Sequence, residues 1–260
     1  MGSAREEQDT AATHSPLAAT SLEKHLLSLS RLARNVNEEA LSFLGDLPPL
    51  KTEVAYLSLQ LIRASFDHGR GLLLLIESSQ RDMAGPALAL HRSQIENFLR
   101  GIFIGFLASP EQINDFLEND DGIREKTPNG KWVKVGINTL ADKVEAFLHG
   151  ISANILPENT KLSSMVRNAW SPLCGFVHGG QAIHDYYVDG QGEIGANIPT
   201  EGLLQVVCNC YAITNFAFII LLERVYHSNG IPFGSPLQEA IERFMKARNA
   251  MLNRHGEQSA

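Results

Sequence analysis

Arg92, Glu96 and Arg100 stand four residues apart. On a helix that spacing stacks their side chains into one ladder. A guanidinium in such a ladder suits phosphate or carboxylate recognition, because its planar fork presents paired donors. The ladder suits a second duty equally well, an ion network that fixes the register of packed helices, with Glu77 as a further partner for Arg92.

The apolar neighbours of Arg92 give it weight. Leu88, Arg92, Ile95, Leu99, Ile102 and Phe106 recur at intervals of three and four, which is one face of a helix. Arg92 is therefore expected at a core position, where breaking a buried ion pair costs about 3–5 kcal/mol.

Arg167, Ser171, Cys174 and His178 make a second polar series. On one continuous helix they form a stripe opposite Leu162, Met165, Val166, Ala169, Leu173 and Phe176. An arginine and a histidine so aligned could bind or cleave a phosphodiester, with the imidazole exchanging a proton near neutral pH. The plainer reading is a solvated polar face. Pro172 is expected to interrupt this helix or to restart it after Ser171. Gly179-Gly180 then frees the backbone for a turn that leaves His178 at a helix end, a place the helix dipole favours for histidine. His184-Asp185 follows just beyond. The candidates for catalysis are thus Arg92, Glu96 and His178. Those for binding are Arg92, Arg167, Ser171, His178 and His184. The chain has no H-x-x-x-H, H-E-x-x-H, Walker loop or G-x-S-x-G, so neither a metal nor a cofactor is expected.

The elements that must position these groups are helical. Thr20 and Glu23 have capping-box spacing and start a helix at about Ser21, which Gly45 to Pro49 breaks. A second helix is expected from about Thr52 to Ser79, with small residues Ser58, Ser65 and Gly69 on its inner face for close packing. A third begins at Gly85-Pro86. The second and third are long and joined by a short turn, which predicts an antiparallel hairpin. Ser109-Pro110-Glu111-Gln112 starts a short fourth helix. Asn119 to Lys134 reads as an exposed excursion in which Asn129-Gly130 closes a small hairpin. Helices follow at about 137–150 and 158–178, an irregular Gly-rich stretch at Tyr186 to Pro199, a central apolar helix at Thr200 to His227, and a last one from Ser235-Pro236 to near Asn249. The prediction is an all-α helical bundle on a long antiparallel hairpin, with a central apolar helix near the C-terminus. Residues 1–16 are expected to be disordered, 17–250 to form one domain and 251–260 to fray.

Composition limits the function classes. The 260 residues carry a net charge of −7, which argues against a general nucleic-acid or anionic-membrane surface. The three cysteines, Cys174, Cys208 and Cys210, form no C-x-x-C. That fits a reducing cytoplasm rather than a disulfide framework. Met1 to Ser15 has no apolar core of a signal peptide. Gly202 to Leu222 is uncharged over 21 residues, but it contains Gln205, Asn209, Thr214 and Asn215. These polar groups point to a core helix and not to a membrane anchor.

Two segments, RDMAGPALALHRSQIENFLRGIF (Arg81 to Phe103) and WSPLCGFVHGG (Trp170 to Gly180), together resemble a group of uncharacterised bacterial helical proteins related to HEPN domains. The corresponding residues here are Arg92, Glu96, Ser171 and His178, and the resemblance is best over 80–180. It implies a HEPN-like bundle, a homo-oligomer, and in many members a metal-independent ribonuclease with an R-x(4–6)-H motif. Arg167 and His178 are too far apart for that motif. Arg63-x4-His68 and Arg248-x6-His255 match its spacing, the first followed by apolar Ala64 and the second by Asn249. The leading expectation is a cytoplasmic, homo-oligomeric binding or regulatory module. The alternative is a HEPN-type endoribonuclease of a defence or toxin–antitoxin system. The expected partners are further copies of the chain, RNA or a small anionic ligand, and no membrane.

Overall fold

The computed structural model describes residues 20–80, 82–119, 122–151, 161–188, 198–229 and 235–256. The segment expected to be disordered, 1–16, lies outside them. Among the described residues there are nine helices and one two-stranded hairpin, so the protein is all-α. In chain order they are α1 (Ser21–Gly45), α2 (Glu53–Ser78), α3 (Ala84–Phe106), α4 (Pro110–Asn119), β1 (Arg124–Lys126), β2 (Trp132–Lys134), α5 (Ile137–Ile151), α6 (Leu162–Val177), α7 (Gln181–Tyr187), α8 (Thr200–Asn229) and α9 (Pro236–Gly256).

Local chemistry sets most of these boundaries. The Thr20 hydroxyl accepts from the Glu23 N–H, and the Glu23 carboxylate accepts from the Thr20 N–H, which completes the capping box of α1. Thr52 caps α2, Ser109 and Gln112 cap α4 reciprocally, and Ser235 caps α9. β1 and β2 pair antiparallel around a turn in which Gly130 takes a φ of +76°, a left-handed conformation open to glycine.

α2 and α3 form the antiparallel hairpin that carries the rest. The Ser58 hydroxyl donates to the Gly101 carbonyl at 2.8 Å, and the Ser65 hydroxyl to the Gln94 carbonyl at 2.9 Å. Residues rising along α2 thus meet residues falling along α3. The backbones are close: a Cβ on Gly105 would lie 2.3 Å from the Ser58 hydroxyl. Small residues on the seam permit this approach, as their spacing predicts.

α8 runs through the middle and packs on α1, α2, α3 and α5. Phe218 of α8 stacks on Phe244 of α9 with centroids 3.5 Å apart and also meets Phe43 of α1. α8 is long and apolar enough to cross a membrane, but 67% of its apolar window is buried in the fold, consistent with a soluble protein.

Four details differ from the sequence expectation. α6 is continuous through Pro172, which occupies its third turn. α7 forms at Gln181–Tyr187, where Tyr186 was expected to open an irregular stretch. α9 continues to Gly256, past the expected end near Asn249, and buries Met251, one helical repeat of seven beyond Phe244. Glu77 binds Arg34 of α1, donor to carboxylate at 2.9 Å, and not Arg92. Glu77 first, and then Glu38, hold the Arg34 guanidinium protonated beyond its ordinary range.

Candidate functional site

The fully buried side of α3 includes Ala87, His91, Gln94, Ile95, Phe98, Leu99 and Ile102. Successive helical residues point about 100° apart, which places Arg92 at the margin of that side, next to Leu99. Its side chain is 22% exposed, at the border of the core and not inside it. The Arg92 guanidinium lies 5.0 Å from the ring centroid of Trp170 on α6, a cation–π contact. Glu96 stands 3.9 Å from Arg92 and makes its close ion pair with Arg100 instead. The Arg92 Nε is buried without a hydrogen-bond partner among the described residues.

The second series does lie along one helix. Arg167, Ser171 and His178 are exposed and Cys174 is half-buried, while Leu162, Val166, Leu173 and Phe176 are buried opposite. Arg167 is paired with Asp142 of α5. His178 caps the end of α6 and gives its backbone N–H to the Cys174 carbonyl at 2.9 Å, with Gly179 next at a φ of +73°. His184 is exposed on α7 beside Asp185. Among the described residues no hydrogen bond or ion pair joins His178 to Arg92 or Glu96, and no three His, Cys, Asp or Glu side chains gather as a metal set.

A cleft of about 700 Å³ opens between α3, α6, α7 and α8. Its wall is mostly apolar, with Leu88, Met165, Leu173, Val206 and Phe216 among its residues. Lys161, Asn168 and Gln205 are exposed at the rim, while His91 and Asn209 are buried at the inner end. Gln205 donates to the Asn209 amide oxygen at 2.8 Å. Among the described residues Lys161 is the one charged group in the lining, and neither Arg92, Glu96, Arg167, Ser171, His178 nor His184 belongs to it. Cys208 also borders the cleft, and burial raises its thiol pKa, so it is a poor nucleophile.

His91 had not been singled out by motif or charge, and it is the deepest polar group here. It is fully buried, and desolvation pushes its imidazole down to about 4, partly opposed by its bond to Gln94. The ring is therefore neutral at pH 7. Its Nδ1 lies 3.0 Å from the Gln94 amide oxygen. The Gln94 amide nitrogen donates onward to the Cys210 carbonyl at 3.4 Å and contacts its sulfur at 3.2 Å. With the Gln94 amide nitrogen turned to Cys210, its oxygen faces His91. In that orientation His91 carries its proton on Nδ1. The other nitrogen, Nε2, is buried without a partner among the described residues.

This seam continues across the bundle. The Thr214 hydroxyl donates to the Cys210 carbonyl at 3.1 Å, and Asn37 of α1 donates to Thr214 at 3.1 Å. Gly69 of α2 closes the seam, since a Cβ there would lie 2.7 Å from the Gln94 amide nitrogen. Four helices thus meet at uncharged polar groups. Burial pushes the Cys210 thiol up to about 12, which keeps it protonated as well.

The chain belongs to a family of unknown function (DUF6988), whose sequence model matches residues 62–227. No curated protein and no solved structure matches the chain. The matched span contains every residue that lines the cleft.

Proposed function

We propose that this member of a family of unknown function is a binding module that seats a small, uncharged molecule in the cleft between α3, α6 and α8. The cleft itself supports the reading. Its volume of about 700 Å³ suits a small organic molecule, and its apolar wall carries a few neutral polar groups at the inner end. Apolar walls supply affinity through burial, while the polar groups select orientation.

The endoribonuclease alternative has less support. Arg63 of its spacing motif is bonded to Asp67 at 3.1 Å, and Arg167 is paired with Asp142. Each guanidinium already faces a carboxylate, and backbone phosphate binding needs free, clustered cations. The side chain of His255 lies outside the described residues. The HEPN resemblance adds self-association to the module reading, and light scattering of the purified chain measures it.

The test uses N-phenyl-1-naphthylamine, a neutral probe that fluoresces in apolar surroundings. Wild type should enhance its emission saturably. Ala212→Trp, which fills the cleft from α8, should abolish the enhancement while circular dichroism stays helical. No enhancement by wild type, or cleavage of RNA in EDTA that is lost in His178→Ala, would overturn this reading.

A further inference from the structure

We infer that the molecule seated in this cleft carries an amide edge, an N–H and a carbonyl side by side, and that the Gln205–Asn209 pair of α8 recognises it. The inference rests on the binding-module reading and sharpens its ligand class.

Gln205 and Asn209 are one helical turn apart, and both line the cleft. Gln205 is exposed, while Asn209 is only 7% exposed, at the inner end. One bond joins them, from the Gln205 amide nitrogen to the Asn209 amide oxygen at 2.8 Å. The reciprocal bond is not formed, so the pair is open on one side. Each side-chain amide has one NH2 group and one oxygen. The shared bond leaves a free oxygen on Gln205 and a free NH2 group on Asn209. Turning both amides over exchanges the two roles, and the pair again offers one free acceptor and one free donor. Neither side chain has a further partner among the described residues. The Asn209 nitrogen is also not one of the unpartnered atoms sealed from solvent, as His91 Nε2 is, so a molecule in the cleft can meet it.

A nearly buried amide that makes one bond is incompletely satisfied, and a guest that completes it gains affinity. A lone carbonyl meets only the free NH2 group, and a lone N–H only the free oxygen. A primary amide or a lactam meets both, because its own donor and acceptor are adjacent. Charge is disfavoured, since the one charged group of the lining among the described residues, Lys161, stands at the rim. The class that fits is an uncharged carboxamide or lactam on an apolar body.

Two probes of matched shape test this, 2-naphthamide and 2-isopropenylnaphthalene, in which carbon groups of the same outline replace the amide. Each competes against N-phenyl-1-naphthylamine. The ratio of their affinities is measured in wild type and in the double variant Gln205→Met with Asn209→Leu, which cancels their different transfer from water. The ratio should favour naphthamide about ten- to thirtyfold more in wild type than in the variant, the factor expected of two neutral hydrogen bonds. An unchanged ratio with intact probe binding overturns the inference and leaves the binding module standing. Absence of probe binding to wild type overturns both. If the double variant does not fold, NMR of the wild-type side-chain amides decides. The NH2 resonances of Gln205 and Asn209 should respond differently to the two probes, whose ring-current effects match. The same response to both overturns the inference.

Discussion

His91 and Arg92 are consecutive residues that belong to two different regions. His91 joins a neutral polar seam in which Gln94, Cys210, Thr214 and Asn37 hold one another away from water. Arg92 joins a charged ladder with Glu96 and Arg100, where every side chain keeps between 22% and 26% of its surface exposed. Solvent screens the ladder, and a surviving partner or water compensates for a lost one. The seam is closed to water and its dielectric is low, so a group that loses its partner there cannot recover one from solvent. The uncharged groups are therefore the costly ones to disturb, although the charged groups are more conspicuous in the sequence.

Three measurements put this difference to work. The largest effect is expected from Gln94→Leu. It strands the His91 Nδ1–H, at about 1–3 kcal/mol for a buried group without a partner, while the Cys210 carbonyl keeps the Thr214 hydroxyl. Urea denaturation should show a loss of up to about 3 kcal/mol. A loss no greater than that of Arg92→Ala would erase the distinction between the two regions.

Acid gives the second. His91 titrates near 4 when folded and near its ordinary 6.5 when unfolded. The unfolded chain therefore takes up the proton first, and the stability present above pH 6.5 is lost as pH falls towards 4. The full contribution is roughly 3 kcal/mol for a shift of this size. Subtracting the pH profile of His91→Phe isolates it from the carboxylates. Parallel profiles for the two proteins over that range would show that His91 is not buried as a neutral ring.

Arg92→Ala should cost least, roughly 1 kcal/mol, for a partly exposed cation–π contact and a long ion pair. Glu96 keeps Arg100, so no carboxylate is stranded. A loss of several kcal/mol would return Arg92 to the core position that periodicity suggests.

Much of the fold was legible because short-range chemistry decides it. Thr20 with Glu23, Ser109 with Gln112, and Asn129-Gly130 each contain the groups that end or turn an element within four residues. The small residues on α2 likewise announced the hairpin seam. The site was less legible. The apolar series through Leu88, Ile95, Leu99 and Ile102 passes beside Arg92 and is buried, and the neighbouring series through Ala84, Ala87, His91 and Phe98 is equally regular and equally enclosed, so Arg92 stands at the margin of a broad buried arc. A charge at the margin of a helical face attracts attention that a histidine inside it does not. Two signals were available: His91 lies four residues from both Ala87 and Ile95, and Gln94 is a polar residue three further on. The partners in Cys210 and Thr214 are more than a hundred residues away, a separation that no local pattern encodes. Pro172 misled for a related reason. A proline weakens a helix locally, but burial of Leu173 and Phe176 on either side of the same turn carries α6 past it.

That proline gives the cleft walls unequal stiffness. Pro172 has no N–H, so the Asn168 carbonyl one turn earlier lacks its helical donor, and both residues line the cleft. The facing hairpin is pinned instead, with serine hydroxyls of α2 bonded to carbonyls of α3 at two levels. A guest larger than the resting space would therefore be accommodated by flexing α6 about its third turn, while α2 and α3 act as the anvil. In the binding-module reading, tolerance for ligand size would rest on one missing N–H on a single helix.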